Sequence, residues 1–377
     1  MVVAVNCWIL RNKELDGIGY FTVNVLSRMI RNHPDVHFKL LCDKNFEEGQ
    51  FAAPNVTIHK IFPPYRHPVL YFLYLEVVLT FFLRKHKPDI LLSPDGMLSL
   101  LSGTKQLPVI HDINFVHRPE DLPFRNRLYY RIFFKRFARK AKRIATVSDY
   151  SRKDIAAVYK VPDTKIDVVY CGVSEHFKPL TGDMVRQVRE KWTNGKPYFF
   201  FVGSMHPRKN IGRLIEAFIQ FKEKSGTEHI LVLAGKILWD SPDIKKVMKD
   251  NPFAKDIVFT GYVNDEDVSA LLGASFALAF VPLFEGFGIP LIEAMHCKVP
   301  VICSDRTSLP EVAGDAAILV DPENTASVSD AMVRLVNEPA LRQSLIEKGE
   351  LRKELFTWEK TEAKLWLSIQ KVLGAGQ

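Results

Sequence analysis

The chain has 377 residues, 47% of them hydrophobic and 25% charged, which is the composition of an ordinary globular protein long enough for two hydrophobic cores. Lysine and arginine outnumber aspartate and glutamate by 51 to 43, and the net charge of +8 favours anionic ligands or surfaces without identifying them. The five cysteines are scattered and odd in number, which excludes a paired cysteine metal motif and indicates a reducing compartment.

The N-terminal residues predict a location inside the cell. Residues 2–8 start directly as a strand, with neither a basic region before them nor a small-residue cleavage site after them, so we expect a cytosolic protein. The most apolar run, residues 69–83, is shorter than the ~20 residues that cross a bilayer and contains Glu76. It predicts a helix that is buried or lies at an interface.

Strand and helix patterns alternate along both halves of the chain. The predicted strands of the first half cover residues 2–8, 37–42, 56–61, 89–92, 108–112, 143–147 and 166–170. Those of the second half cover residues 198–202, 229–234, 257–260, 276–281, 299–303 and 316–320. This predicts an α/β protein with two Rossmann-like, doubly wound parallel sheets that face each other across a cleft. We expect domains at residues 1–175 and 176–355, and a C-terminal helix in residues 356–377 that packs back on the first domain.

A glycine-punctuated loop joins a strand to a helix within residues 284–295. Pro290 suits the first turn of this helix, and the amides of residues 286–288 lie at the positive end of its dipole, which suits an anionic group such as a diphosphate. Glu285 and Glu293 flank the loop, where carboxylates could accept hydrogen bonds from sugar or ribose hydroxyls. An ordinary helix start with a solvated loop acid has the same pattern, so both interpretations stay open.

A basic pair follows the predicted strand at residues 198–202. Arg208 and Lys209 lie in the loop after this strand and immediately before a helix for which Asn210 is the predicted N-cap. A guanidinium fork and a point charge at that position could grip a diphosphate. A solvated turn would have the same two residues.

Two further segments of the first half lie where ligands gather in an open parallel sheet, beyond the carboxyl ends of its strands. His111 and Asp112 end one predicted strand, and His111 could act there in chemistry or cap the sheet edge by a hydrogen bond. Gly17 and Gly19 lie in a predicted loop before an amphipathic helix. They would let the backbone approach a ligand closely, but a tight strand-to-helix turn needs the same glycines.

Residues 125–143 contain arginine and lysine but no acidic residue. Leu128, Ile132, Phe133 and Phe137 are predicted to share one apolar face of a helix, with the basic residues on the other. This pattern is typical of a helix that rests on an anionic membrane surface, and an ordinary solvated helix face resembles it. Nucleic acid is a poorer candidate because no DNA- or RNA-binding motif accompanies the charge.

Several motifs, in this order along nearly the whole chain, resemble the retaining family 4 glycosyltransferases of GT-B fold, the glycosyl transferases group 1. The motifs are Gly17-Ile18-Gly19-Tyr20, Val109-Ile110-His111-Asp112, Thr146-Val147-Ser148, Cys171-Gly172-Val173, Arg208-Lys209-Asn210 after Val202-Gly203-Ser204, Glu285 to Glu293 around Gly-Phe-Gly-Ile-Pro, Leu309-Pro310-Glu311-Val312 and Phe356-Thr357-Trp358. The resemblance implies a nucleotide-diphosphate-sugar donor held mainly by the C-terminal domain and an acceptor held mainly by the N-terminal one.

The resemblance also implies roles for individual residues. Arg208 and Lys209 would hold the donor diphosphate and stabilise the leaving nucleotide, Glu285 would contact the donor sugar, and His111 would lie near the reacting sugar. Glu293 would bind the ribose. The remaining implied donor-binding residues are Gly17, Gly19, Gly203, Ser204, Tyr262, Val263, Gly286, Phe287, Gly288 and Ile289, of which Tyr262 and Val263 would line the base pocket through backbone groups.

The resulting prediction is a metal-independent retaining glycosyltransferase of the hexosyltransferase class. Its donor would be a UDP-, GDP- or ADP-type sugar, its acceptor a glycan or lipid-linked glycan for polysaccharide biosynthesis, and it would need no cofactor. We expect it in the cytoplasm, with peripheral contact to an anionic membrane through residues 125–143 and no nucleic acid partner. A nucleotide-sugar epimerase or hydrolase on the same fold is the alternative.

Overall fold

The computed structural model describes residues 1–11, 15–44, 46, 48–61, 68–236 and 242–374. The chain divides into two compact units, the first made of Met1–Gly172 with Thr357–Gln377 and the second of Val173–Phe356. The predicted boundaries lay after residues 175 and 355. None of the helices in the described ranges is long and apolar enough to cross a membrane.

The first unit is built on a parallel sheet with the strand order β3-β2-β1-β4-β5. Its strands are β1 (Val2–Asn6), β2 (His37–Cys42), β3 (Val56–Lys60), β4 (Ile90–Ser93) and β5 (Lys105–Pro108). Two shorter strands, β6 (Ile144–Thr146) and β7 (Ile166–Val168), form a separate parallel pair. A single bridge between Val109, just after β5, and Ala145 of β6 connects this pair to the end of the sheet. The central strands β1 and β4 are almost wholly buried, because helices cover both faces of a parallel sheet.

Helices of the first unit connect these strands. They are α1 (Gly17–Asn32), α2 (Pro68–Leu73), α3 (Thr80–His86), α4 (Asn114–His117), α5 (Phe124–Lys140) and α6 (Asp149–Tyr159). A π-helical segment, Tyr74–Leu79, joins α2 to α3, so residues 68–86 form one continuous helix, called the 68–86 helix below. Ser148 caps α6, since its hydroxyl accepts a hydrogen bond from the Ser151 amide at 3.0 Å.

The second unit has a larger parallel sheet with the order β10-β9-β8-β11-β12-β13. Its strands are β8 (Tyr198–Val202), β9 (Ile230–Ala234), β10 (Ile257–Gly261), β11 (Ala277–Phe280), β12 (Val301–Ser304) and β13 (Ala317–Val320). The consecutive aromatic residues of β8 are fully buried, because both faces of this strand are covered. The order reverses between β8 and β11, which makes the carboxyl ends of these two strands the switch point of the sheet.

Helices of the second unit lie on both faces of this sheet. They are α7 (Gly182–Thr193), α8 (Ile211–Ser225), α9 (Pro242–Met248), α10 (Asp265–Ala274), α11 (Ile289–His296), α12 (Leu309–Ala313), α13 (Thr325–Asn337) and α14 (Pro339–Arg352). In α8, the apolar residues Ile211, Leu214, Ile215 and Phe218 are all buried, because this side of the helix packs on the sheet.

The last helix, α15 (Trp358–Leu373), returns to the first unit. Its Trp366 ring stacks on His33, the residue after α1, with 3.6 Å between ring centroids, and Glu359 accepts a hydrogen bond from Arg28 of α1 at 2.8 Å. Thr357 is the N-cap of this helix, and Trp358 packs against Gly172, where a Cβ atom would collide with it.

Three predictions about local structure are wrong. The strand predicted at residues 108–112 ends at Pro108. The Val109 amide still donates to the Ser93 carbonyl of β4, but the Ile110 amide donates to the Ala145 carbonyl of β6, so the chain leaves β4 there. Asn210 occupies the N-cap position of α8 but does not cap it. Its backbone is left-handed, and its side-chain amide donates instead to the carbonyls of Val281 and Pro322.

The third correction concerns the apolar face of α5. Phe137 is fully buried and Phe133 half-buried, whereas Leu128 and Ile132 are exposed, so the four residues do not share one face. The buried side, which includes Tyr129 and Phe134, is aromatic because it joins the core of the first unit. The exposed side carries aliphatic and basic residues together.

Candidate functional site

The predicted donor-binding residues of the second unit gather at the carboxyl edge of its sheet. Gly203 and Gly235 directly follow β8 and β9, and Gly261 is the last residue of β10; their φ angles are 144°, 144° and 70°. A Cβ atom on Gly235 would collide with the carbonyl oxygen of Gly203, so the two loops pass each other at a distance that only glycine permits. Ser204 follows directly, and its carbonyl accepts a hydrogen bond from the His206 amide at 2.8 Å.

Arg208, Lys209 and Glu285 form one charged cluster at the switch point. The Arg208 Nη1 and Lys209 Nζ atoms lie 2.6 and 2.5 Å from the same oxygen, Oε1 of Glu285. Arg208 also donates to the Phe284 carbonyl at 3.1 Å, and the Leu283 amide donates to the Arg208 carbonyl at 2.8 Å, which joins the loop after β8 to the loop after β11. The cluster holds two positive charges against one negative charge.

The three charged groups are largely buried, with 22%, 10% and 12% of the Arg208, Lys209 and Glu285 side chains exposed. Burial by itself would raise the pKa of Glu285, but the two adjacent cations outweigh it and hold that pKa below its ordinary value. Glu285 is therefore ionised at neutral pH. Among the residues that the structure describes, its second oxygen, Oε2, has no hydrogen-bond partner.

Helix α11 begins immediately after this cluster. Gly288 precedes it with a φ of 103°, and Pro290 lies in its first turn as predicted. A side chain at Gly288 would collide with Leu309, so the close approach of α12 as well as the backbone angle requires glycine. Gly286, Phe287 and Ile289 thus form a tight turn that leads from Glu285 into the positive end of a helix dipole.

Two residues that the sequence did not single out hold this turn in place. The Glu285 amide donates to the Thr307 hydroxyl at 3.1 Å, and the buried Ser308 hydroxyl lies 2.9 and 3.1 Å from the carbonyls of Glu285 and Phe287. Thr307 and Ser308 come just before the Leu309-Pro310-Glu311 motif, and their proximity to Glu285 depends on the packing of α12 beside α11. Gly235 was missed as well, although its position directly after a predicted strand was a usable signal.

Glu293 projects from the second turn of α11. Burial raises the pKa of its carboxyl group to about 8, and the neighbouring Asp265 at the start of α10 adds to the shift. No hydrogen bond or ion pair to its side chain is present in the described parts of the chain. The carboxyl group is therefore neutral near pH 7 and can both donate to and accept from a ligand hydroxyl.

Tyr262 and Val263 lie in the loop between β10 and α10. The Tyr262 ring is 53% exposed, and the Lys236 ammonium lies 4.9 Å from its centroid. The Gly235 amide donates to the Gly261 carbonyl at 2.9 Å, which holds the loops after β9 and β10 together. The predicted base-binding residues therefore border the same sheet edge as the charged cluster.

His111, Gly17 and Gly19 form a separate group in the first unit. His111 lies in the loop after β5, and the edge of the Phe21 ring in α1 packs on it with 4.9 Å between centroids. Its Nε2 atom is 3.0 Å from the Pro94 carbonyl, an acceptor, so Nε2 carries the proton and Nδ1 is left as an acceptor. Burial lowers the pKa of His111 to about 4, which keeps the ring neutral.

The predicted loop around Gly17 and Gly19 is in fact the first turn of α1, which begins at Gly17. The Asp16 carboxylate caps this helix by accepting from the Gly19 amide at 2.9 Å, so that amide is used within the protein. A Cβ atom on Gly17 would meet nothing within 4 Å. Asp112 also has a local role, since it accepts from the Asn114 amide at 2.9 Å at the start of α4.

The chain has two parallel α/β units, and the second carries a cation pair and a glycine-rich helix start at its switch point. This is the architecture of the GT-B glycosyltransferase fold. The chain belongs to the glycosyl transferases group 1 family. The sequence model of that family, Glycosyl transferases group 1, matches residues 186–352, and the model of Glycosyltransferase Family 4 matches residues 15–177.

Curated relatives support this assignment. The chain is 30% identical over 256 residues to the O-antigen chain mannosyltransferase B of Escherichia coli, with 68% of this chain and 67% of that protein covered. It is 26% identical over 340 residues to the O-antigen chain mannosyltransferase RfbU of Salmonella typhimurium, covering 87% and 89%. This protein is accordingly a glycosyltransferase.

Solved structures show the same fold at low sequence identity. Sucrose-phosphate synthase from Thermosynechococcus elongatus superposes with a TM-score of 0.81 at 18% identity, covering 99% of both chains. Anabaena HepE, solved with UDP and glucose, gives a TM-score of 0.77 at 13% identity and covers 98% of this chain and 99% of that one. The GT-B prediction is confirmed.

Proposed function

We propose that this protein transfers a sugar from a nucleotide-diphosphate-sugar to a glycan or lipid-linked glycan, with retention of configuration and without a metal ion. The observation that carries the proposal is the Arg208-Lys209-Glu285 cluster at the start of the glycine-rich turn before α11. Two cations that share one carboxylate leave an excess positive charge in a partly buried position. A diphosphate complements that charge.

The donor sugar and the ribose are assigned to the two glutamates. Glu285 is ionised, and its Oε2 atom is available as an acceptor for a sugar hydroxyl. Glu293, eight positions further, lies near Asp265, the first residue of α10, which follows the loop that contains Tyr262 and Val263. A ribose there would lie between the base on that loop and the diphosphate on the cations. A neutral Glu293 carboxyl suits a ribose because each hydroxyl can donate or accept.

The chemistry proposed is stabilisation of the leaving group. Negative charge grows on the diphosphate as the glycosidic bond to it breaks, and Arg208, Lys209 and the dipole of α11 offset that charge without reorganising. These fixed positive charges stabilise the leaving diphosphate, as a metal ion does in other transferases. A departing phosphate oxygen that accepts the acceptor's proton on the same face would give retention, so no separate carboxylate nucleophile is required. His111 is proposed to border the reacting sugar as a neutral hydrogen-bonding group.

The names of the relatives point to the sugar and the acceptor. Both are O-antigen chain mannosyltransferases, which supports mannose as the transferred sugar and a cell-envelope polysaccharide as the product. We propose that the reaction takes place in the cytoplasm. The five free, buried cysteines support this proposal, since free thiols are expected in a reducing compartment.

The test is calorimetric binding of UDP, GDP, ADP and their sugar conjugates to the wild type, Arg208→Ala and Glu285→Ala. We expect one nucleotide to bind the wild type, Arg208→Ala to weaken its binding by about 10- to 100-fold, and Glu285→Ala to remove mainly the extra affinity of the sugar. Arg334→Ala and Glu338→Ala are matched controls, because they remove the same residue types from an exposed ion pair at 3.2 Å at the end of α13. They should bind like the wild type.

Transfer is tested separately with the nucleotide sugar that binds. Product formation should require an acceptor glycan, retain the anomeric configuration and continue at an unchanged rate in excess chelator. Binding of no nucleotide by the wild type would contradict the donor site. Release of free sugar, or appearance of an epimer, at full rate without acceptor would favour the hydrolase or epimerase instead.

A further inference from the structure

The first unit has an exposed apolar surface, separate from its buried core, on two neighbouring helices. Phe72, Leu73, Val77 and Phe81 are exposed along the 68–86 helix, and Phe124, Leu128 and Ile132 are exposed along α5. Within each helix three of these residues recur every fourth position, which aligns them on one side. Phe81 and Phe124 are 67% and 73% exposed. We call these seven residues and the basic residues around them the two-helix surface.

Contacts between the two helices make this one surface rather than two. The Tyr71 and Tyr129 rings pack edge to face with centroids 5.3 Å apart, and the Phe72 ring lies 6.1 Å from that of Phe133. Phe133 is flanked on α5 by the exposed Ile132. The exposed rows of the two helices therefore border the same line of aromatic contacts.

A loop with another exposed apolar residue closes one end of the surface. Leu101 is 63% exposed, and its amide donates to the Glu76 carboxylate of the 68–86 helix at 2.8 Å. The adjacent Leu100 carbonyl accepts from the Lys140 ammonium of α5 at 2.9 Å. Glu76 and Lys140 thus fix this loop between the two helices.

The charge on the surface has one sign. Glu76, the one acidic residue of both helices, is buried, and its carboxylate is satisfied by the amides of Leu100 and Leu101. The exposed charged residues are basic: Arg84 and Lys85 on α3, and Arg125, Arg131, Arg136, Arg139 and Lys140 on α5. On α5 they alternate with Phe124, Leu128 and Ile132 along the same exposed side.

We propose that the two-helix surface docks on an anionic lipid bilayer. The exposed aliphatic and aromatic side chains would enter the boundary between headgroups and acyl chains, and the surrounding arginines would contact lipid phosphates. Charge complementarity selects this partner over a second copy of the chain. An isologous contact would place the basic rows of both copies against each other with no carboxylate of either helix between them.

Docking itself does not depend on the transfer reaction. Its use, which is to bring the acceptor-binding unit to a lipid-linked glycan, rests on the proposed function. Membrane binding and nucleotide binding are therefore measured on the same preparations, so that one can fail while the other holds.

The experiment is co-sedimentation of the full chain with phosphatidylcholine vesicles, with and without phosphatidylglycerol, in about 0.1 M and about 1 M salt. We expect binding to the anionic vesicles that weakens in high salt. Each basic residue near an anionic leaflet contributes on the order of fivefold to partitioning, so Arg131→Glu with Arg136→Glu should lower it at least about 25-fold. Phe81→Ser with Leu128→Ser should lower it at least about tenfold.

Matched controls come from the second unit. Lys246→Glu with Lys249→Glu reverses two exposed charges on and just after α9, and Leu351→Ser removes an apolar side chain that is 79% exposed. Neither should alter vesicle binding. All variants should keep the wild-type affinity for the nucleotide and the wild-type far-UV circular dichroism spectrum, which together show that both units are folded.

Three results would overturn the proposal. The wild type could fail to sediment with anionic vesicles above its level with neutral ones. The second-unit controls could lose as much binding as the two-helix variants, which would indicate a general charge effect. Finally, Phe81→Ser with Leu128→Ser could convert a dimer to a monomer in analytical ultracentrifugation without lipid, which would show that a second copy covers the surface.

Discussion

Glu293 should make the protein less stable as the pH rises. Its pKa is raised from an ordinary value of 4.5 to about 8 in the folded chain. Between these values the folded state holds a proton that the unfolded state has lost, so the unfolded state binds fewer protons and stability falls with increasing pH. The stabilisation is complete below about pH 4.5 and is lost as the pH passes through about 8. A shift of this size corresponds to at most about 5 kcal/mol.

The variant Glu293→Gln tests this reasoning, because it keeps the shape of the side chain and cannot ionise. Denaturant unfolding would be measured for both proteins between about pH 5 and pH 9. We expect similar stability near pH 5 and a variant that is more stable by several kcal/mol near pH 9. Asp265→Asn should act in the same direction but less, since it removes the like charge that adds to the shift.

Glu347→Gln is the matched control, because Glu347 is an exposed glutamate on α14. It should follow the wild type at every pH. If Glu293→Gln and the wild type lose stability in parallel from pH 5 to pH 9, the carboxyl group of Glu293 is not held neutral by the fold. The assignment of a neutral Glu293 to ribose binding would then be wrong as well.

Three further predictions concern the site in the second unit. Glu285→Gln removes the negative charge that two partly buried cations share, so it should cost about 3–5 kcal/mol in unfolding free energy, and saturating pyrophosphate should restore stability to this variant more than to the wild type. Ser308→Ala should cost about 1–3 kcal/mol in denaturant unfolding and lower the transfer rate, since it removes the hydroxyl that holds the Glu285 turn. Gly235→Ala should abolish nucleotide binding in calorimetry because its Cβ would displace the Gly203 carbonyl, whereas Gly226→Ala, whose Cβ meets nothing within 4 Å, should bind normally. Normal binding by Gly235→Ala, or an unchanged transfer rate in Ser308→Ala, would contradict the proposed geometry.

Local pattern was sufficient for the order of the elements. Every predicted strand coincides with an observed one except residues 108–112, because buried parallel strands are short apolar runs bounded by loop residues. Arg208 and Glu285 could be placed at the same sheet edge for the same reason, since the residue that follows a parallel strand lies at its carboxyl end.

What the sequence could not supply was the partner of each side chain. That Arg208 and Lys209 share one oxygen of Glu285 depends on β8 and β11 being neighbours, although 76 residues separate Lys209 from Glu285. The roles of Thr307 and Ser308 depend on the packing of α12 on α11. Contacts between residues far apart in the chain leave no local pattern, so these partners follow only from the tertiary structure.

Burial was the other property that the sequence left undecided. The sequence of α5 predicted an amphipathic helix but not which of its apolar residues enter the core. The sequence likewise gave no indication that the Glu293 carboxyl group is neutral. The cost of burying a charge or of exposing a ring depends on what surrounds it in three dimensions. The sequence by itself therefore determined the α/β class, the element order and the residues at the strand ends. Only the tertiary structure decided which of those residues are charged, satisfied or exposed, because each of these states is set by neighbours distant in the chain.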